Sequence, residues 1–208
     1  MKFRLSLGCL LAFAVAPMAQ AQNYNRQPVG AAAFGAPGGF APAQLEIKAI
    51  NLSTPTSPDY QLQNGETKRY VPGKWLEVEV EFSASAPSHE LQFHYNVLLG
   101  GVLLVGDVTH VDVPAGQSLF SVMYVPPRGL NVALRGQPVN SGNVQNIDVQ
   151  ILRPGMAAPL ADKMLRPGPA FYQTMQQVTG VLLNKTQTPF APLWWDRYEA
   201  VKTPGGPQ

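Results

Sequence analysis

An antiparallel β-sandwich is the fold class the sequence predicts, and three observations carry it. Apolar and polar residues alternate along several short stretches, most clearly Trp75-Leu-Glu-Val-Glu-Val-Glu-Phe82. Clusters of Gly, Pro, Asp and Ser separate those stretches. No long helix-period segment lies between them, which argues against alternating β–α units.

The elements follow in chain order. Order is expected from about Gln44, with Leu45 to Leu52 as a first strand stopped by Ser53-Thr54-Pro55. In the second, Leu76, Val78, Val80 and Phe82 fall on one face and Glu77, Glu79 and Glu81 on the other. A period of two over eight residues is the pattern of a half-buried strand, since a helix would scatter the glutamates around its circumference. The alternation makes the acidic face a solvated one, so Val80→Asp should be severe and Glu79→Gln mild. Leu91, Phe93, Tyr95 and Val97 repeat the pattern. Gly100-Gly101 then predicts a tight hairpin, because glycine accepts positive φ at both turn positions. Val102 to Val113 reads as one bent strand or two, with a bend or bulge at Gly106-Asp107. Ser118 to Val125 is another strand, closed by Pro126-Pro127-Arg128-Gly129, and Asn143 to Leu152 places Ile147, Val149 and Ile151 on one face. Past Gly155 the expected pieces are a short helix at 170–177, a strand at 178–184 and a helical turn or two at 193–201.

The first 43 residues speak of compartment. Lys2 and Arg4, the apolar run Leu5 to Val15 and the small-x-small site Ala19-Gln20-Ala21 form a bacterial secretory signal over residues 1–21. The run is too short to span a bilayer. Cleavage is expected between Ala21 and Gln22. Leu7-Gly8-Cys9 has some of the shape of a lipoprotein site, but Ser6 stands where a bulky aliphatic is needed and the downstream site fits better. Cys9 is the chain's single cysteine, so the exported form has no disulfide and depends on core burial. Loss of Lys2 and Arg4 leaves 13 basic against 13 acidic residues. That balance offers no basic footprint for nucleic acid or anionic lipid. Residues 22–43 are a tether: Pro28 to Pro42 is Gly, Ala and Pro with Phe34 and Phe40, a composition that buries little. The domain plan is therefore signal 1–21, tether 22–43, sandwich 44–155 and a C-terminal extension 156–208 packing on the sandwich.

Tests for chemistry give no catalytic residue, no metal ligand set and no cofactor. His89 and His94 are five apart, whereas the zinc motif needs four on a helix, and on a strand an odd separation sends them to opposite faces. His110 adds no ligand spacing. There is no G-x-S-x-G elbow and no phosphate loop at Gly35 to Gly39. Asn51-Leu-Ser53 and Asn184-Lys-Thr186 fit the glycosylation pattern, but the bacterial form of the signal argues against its use.

Thr188 to Tyr198, TPFAPLWWDRY, is the segment that stands out. Trp, Tyr and Arg are enriched at binding hot spots because they bury much area while keeping a polar handle. Two readings are open. The tail packs back across the sandwich, with Trp194 and Tyr198 four apart on one short helix, or Trp194, Trp195 and Tyr198 form a binding site for a protein or a glycan.

Four stretches together resemble a known family: Lys74 to Phe82, Val105-Gly-Asp-Val-Thr-His-Val111, Ser121-Val-Met-Tyr-Val-Pro126 and Thr188 to Tyr198. They resemble exported immunoglobulin-like proteins of Verrucomicrobia, among them an outer-membrane-associated one linked to a type IV-pilus-like gene cluster. The resemblance covers residues 44–202. It implies an immunoglobulin-like sandwich, a non-catalytic structural, assembly or adhesion role at a pilus-like surface apparatus, an envelope protein as partner, and location in the periplasm, at the outer membrane or outside the cell. It brings no active-site residues. The alternative reading is a carbohydrate- or peptide-binding module using the C-terminal aromatics.

Overall fold

Alternation along β2 (Leu76–Ala84) sets the architecture: Leu76, Val78, Val80 and Phe82 all point inward and are fully buried. The structure, a computed structural model, describes residues 44–60 and 72–202. The expected signal, its cleavage site, Cys9, and the tether with Phe34 and Phe40 lie outside the described residues.

Two sheets face each other. In the first, β1 (Leu45–Ser53), β2 and β5 (Gly116–Val125) are antiparallel neighbours. In the second, β7 (Ala161–Met164), β6 (Val144–Leu152), β3 (Ser88–Leu99) and β4 (Val102–Val113) lie in that order, again antiparallel. Lettering these strands A, B, C, C′, E, F and G in chain order gives A-B-E against G-F-C-C′, the strand arrangement of an immunoglobulin-like sandwich. Leu91, Phe93, Tyr95 and Val97 of β3 and Ile147, Val149 and Ile151 of β6 meet the β2 row across the interior. Phe82 and Phe93 touch edge to face at 4.9 Å. Each such side chain contributes about 1.5–3 kcal/mol on full burial.

The turns match their residues where glycine decides. Gly100 and Gly101 have φ of 58° and 82°, so the β3–β4 hairpin closes with both positions in the left-handed region. Gly106 carries no bulge: β4 is one strand in unbroken register with β3 from Val102 to Val111. Its glycine is there for contact, since a Cβ would lie 2.6 Å from Leu182 Cβ and 2.9 Å from Met123 Cε. The change of apolar phase falls instead at Asp112, whose φ is 50°.

Five other expectations change. Pro126-Pro127-Arg128-Gly129 opens a short helix, α1 (Pro127–Ala133), with proline in the first turn and Leu130 and Ala133 buried. The sheet runs one strand past Gly155, to β7. The helix expected at 170–177 is a 3-10 turn at Phe171–Gln173, and the strand expected at 178–184 is replaced by two-residue strands β8 (Gln177–Val178) and β9 (Leu183–Asn184). No helix forms at 193–201; that stretch is turns and extended chain.

The chain after β7 follows the sandwich as a strap. Asn146 and the Arg166 backbone exchange hydrogen bonds of 2.9 Å. β8 then pairs in parallel with the edge of β4, and β9 pairs antiparallel with the edge of β5. Farther on, the Glu199 N–H donates to Phe120 of β5, while residues 200–202 exchange backbone bonds with Thr109 and Val111 of β4. One strap thus occupies both edges on this side, covering strand edges that would otherwise invite pairing with other chains. At the opposite side β1 shifts register between Ile47 and Ala49, and Lys163 Nζ of β7 donates to the carbonyls of Ile47 and Lys48 at 3.2 and 2.7 Å.

Candidate functional site

On the outer face of the first sheet, Glu77, Glu79 and Glu81 lie in register with Tyr124, Val122 and Phe120 of β5. Residues 188–198 come down on this face. Phe190 is buried, stacks on Tyr124 at 4.9 Å and meets Trp75 edge-on at 5.6 Å. With Val122 these rings form a second apolar cluster outside the sandwich core. The Trp75 indole N–H donates to Ser57 Oγ at 2.8 Å, which fixes the ring from its far side.

Beside that cluster the polar groups converge on Glu79, which is only 8% exposed. Arg197 Nε and its terminal nitrogen each donate to one carboxylate oxygen at 2.8 Å, and the Tyr198 hydroxyl donates to one of the same oxygens, also at 2.8 Å. The bonded guanidinium holds the Glu79 carboxyl below its ordinary range, against the opposing effect of burial. Arg197 also lies 3.9 Å above the Phe120 ring. The expectation of a solvated acidic face therefore fails at Glu79, because a segment far along the chain covers it. Glu77 and Glu81 remain part-exposed and accept from the hydroxyls of Ser53 and Ser118.

The three sequence-predicted aromatics have different surroundings. Tyr198 is part-buried against Glu79. Trp194 is 48% exposed, stacks on Phe190 at 6.5 Å, and takes a φ of 49°. Trp195 is 80% exposed. Glu77, Glu79, Trp194, Arg197 and Tyr198 line a cleft of about 280 Å³. Trp195 is absent from that lining. Glu77, Glu79 and the supporting rings were missed as site residues; the only sign of them was the strict alternation of β2.

The histidines separate as the strand pattern requires. His89 lies 3.0 Å from Asp112, and His94 lies 2.8 Å from Asp107, whose carboxylate raises the His94 pKa. Among the described residues no group of three or more His, Cys, Asp or Glu converges as a metal-ligand set. His110 is buried, with Nε2 2.8 Å from Ser121 Oγ and Nδ1 3.1 Å from the Glu199 carbonyl. The imidazole donates through Nδ1 to that carbonyl and accepts the Ser121 hydroxyl, while Tyr95 donates to Ser121 at 2.8 Å. A buried Ser–His contact oriented by a backbone carbonyl joins strap to sheets and presents no nucleophile to a substrate.

These observations define an immunoglobulin-like β-sandwich whose C-terminal strap builds an aromatic cleft on one outer face. A protein-family model matches residues 40–204, and the chain belongs to that family. A crystal structure of a protein from Akkermansia muciniphila, a member of the Verrucomicrobia, superposes with a TM-score of 0.67 at 22% identity, covering 78% of this chain and 95% of that one. That likeness shows the fold. Among curated proteins, none matches the sequence. Among the described residues no helix is long and apolar enough to cross a membrane.

Proposed function

We propose that this is a non-catalytic, exported envelope protein that serves as a structural, assembly or adhesion partner of a pilus-like surface apparatus. Its family membership across residues 40–204 is the observation that carries the reading. The signal-like residues 1–21 and the fold shared with a verrucomicrobial protein support it. The contact surface in this reading is the strap face bearing Trp194, Trp195 and Tyr198. Exposed aromatic rings beside a cleft are what a protein interface uses as anchors. In the exported form, residues 22–43 act as a tether, the sandwich runs from β1 through β7, and the chain after β7 is its extension.

A second reading, a glycan-binding module, is favoured by one feature: the Trp194 and Trp195 rings are both substantially exposed. Cross-linking in the native envelope followed by capture of the protein separates the two. The expected result is a discrete envelope protein cross-linked at the strap face and weakened at least about tenfold by Trp195→Ala. Retention on glycans with no protein cross-link would favour the second reading instead.

A further inference from the structure

We propose that the cleft between Glu77 and Trp194 takes a lysine side chain from the partner protein. This deepens the preceding reading and rests on the strap face meeting a protein.

Charge comes first. Of the lining groups, Glu79 and Arg197 neutralise each other through two hydrogen bonds. Lys185 is buried behind Tyr198, 5.6 Å from its ring, with its ammonium donating to the Ala191 carbonyl. Glu77 accepts from the Ser53 hydroxyl, and among the described residues it forms no ion pair. The cleft therefore keeps one uncompensated carboxylate at its wall.

The aromatic wall points the same way. Trp194 holds a left-handed φ that a bulky side chain rarely adopts, in a turn closed by the Arg197 N–H to its carbonyl at 3.2 Å. Strain of this kind concentrates where a side chain must be presented in one particular way. Here one face of the indole stacks on Phe190, and the ring borders the cleft. An indole within reach of a carboxylate is suited to an ammonium group, which gains from both the ring quadrupole and the ion pair.

A further observation comes from the strand paired with β2. Tyr124 is fully buried, in register with Glu77, and among the described residues its hydroxyl makes no hydrogen bond of good geometry, its polar neighbours being Glu77 and Tyr198. An orphaned buried hydroxyl costs free energy unless a ligand or a small rearrangement satisfies it. After a small rearrangement that brings it to the cleft, it accepts one of the three N–H groups of an ammonium while Glu77 accepts another. A cleft of about 280 Å³ has room for the four-carbon stem as well. Arginine fits less well, because its planar fork seeks a bidentate carboxylate, and the cleft's bidentate carboxylate is already taken by Arg197.

The test uses the full exported chain and three probes: Nα-acetyl-L-lysine amide, Nα-acetyl-L-norleucine amide and N-acetylglucosamine. The readout is the backbone amide resonances of Arg197 and Tyr198 in NMR titrations, which every variant below retains. Saturable binding of the lysine probe is expected, with the norleucine probe at least about tenfold weaker. Glu77→Gln, which keeps a hydrogen-bonding side chain for Ser53, should weaken the lysine probe to a similar extent. Glu81→Gln, the same charge change on the same face outside the cleft, should leave it unchanged. Trp194→Phe guards against a variant that fails to fold and should weaken binding without abolishing it. Equal response to the norleucine probe, or response only to the sugar, overturns the proposal. Capture of an envelope partner that is insensitive to Glu77→Gln would leave the surface role standing and remove this site. Lysine binding without any captured partner would do the reverse.

Discussion

Glu79 points away from the sandwich core, yet Arg197 and Tyr198 make it a buried acceptor for three donors. Truncating it strands those donors, and a lost buried charge partner costs more than a lost exposed one. Glu79→Ala should therefore cost about 1–3 kcal/mol in urea or thermal melts, and Glu79→Gln somewhat less. Glu77→Gln, at a part-exposed position, should stay within about 0.5 kcal/mol. Val80→Asp puts an unpaired carboxylate into the core and should lose more than about 3 kcal/mol or fail to fold. Equal losses at Val80 and Glu77 would mean that the two faces of β2 are exchanged. The inner face was legible because alternation is a local signal, complete within eight residues. The outer face was not, since the partners of Glu79 stand 118 and 119 positions along the chain. No short-range pattern encodes which strand face a distant strap will cover.

Among the elements, those decided by their own residues were readable. The Gly100-Gly101 hairpin needed only two residues tolerant of positive φ, and they are there. β8 and β9 are two residues long each and exist only through pairing with the edges of β4 and β5, so their own sequence carries little signal. Helix α1 hid behind a Pro-Pro-Arg-Gly string that reads equally as a turn; burial of Leu130 and Ala133 decides for the helix. Gly106 shows how strap and sheet fit together. Its missing side chain admits Leu182 and Met123, so Gly106→Ala should force the strap outward and cost about 1–3 kcal/mol. Leu182→Ala removes the opposing atoms while losing buried area of its own. In a double-mutant cycle the pair should therefore lose at least about 0.5 kcal/mol less than the sum of the singles. Strict additivity in chemical denaturation would show that Gly106 does not seat the strap.

Taken as a whole, the molecule is closed where His110 meets the strap, and this point makes stability depend on pH. Burial pushes the His110 pKa down from 6.5 to about 4, because an imidazolium there would sit in the core beside Phe93 with Ser121 and Tyr95 around it. The unfolded chain takes up the proton near 6.5, while the native site refuses it until about 4. Unfolding thus binds a proton throughout that window. Stability is complete above about 6.5 and declines as pH falls toward 4, by about 3 kcal/mol if no other group moved. Other groups do titrate. Glu79 and Asp107 are lowered by Arg197 and His94, and their contributions are lost below the ordinary carboxylate range, adding to the acid-side fall. Asp148 and Glu199 are raised by burial, so the native state favours their protonated forms and stability falls as pH rises through their folded values. His94 is raised by Asp107, and its contribution, full below 6.5, is likewise lost as pH rises through its folded pKa. Against that mixed background, His110→Gln isolates one group, since glutamine keeps a donor and an acceptor but cannot take the proton. Melts at several pH values between 4 and 7 should show wild type losing stability steeply toward acid and the variant losing distinctly less, even if the variant is weaker at pH 7. Parallel profiles would mean that His110 is protonated as readily in the fold as outside it, and that the strap is not held by a neutral imidazole.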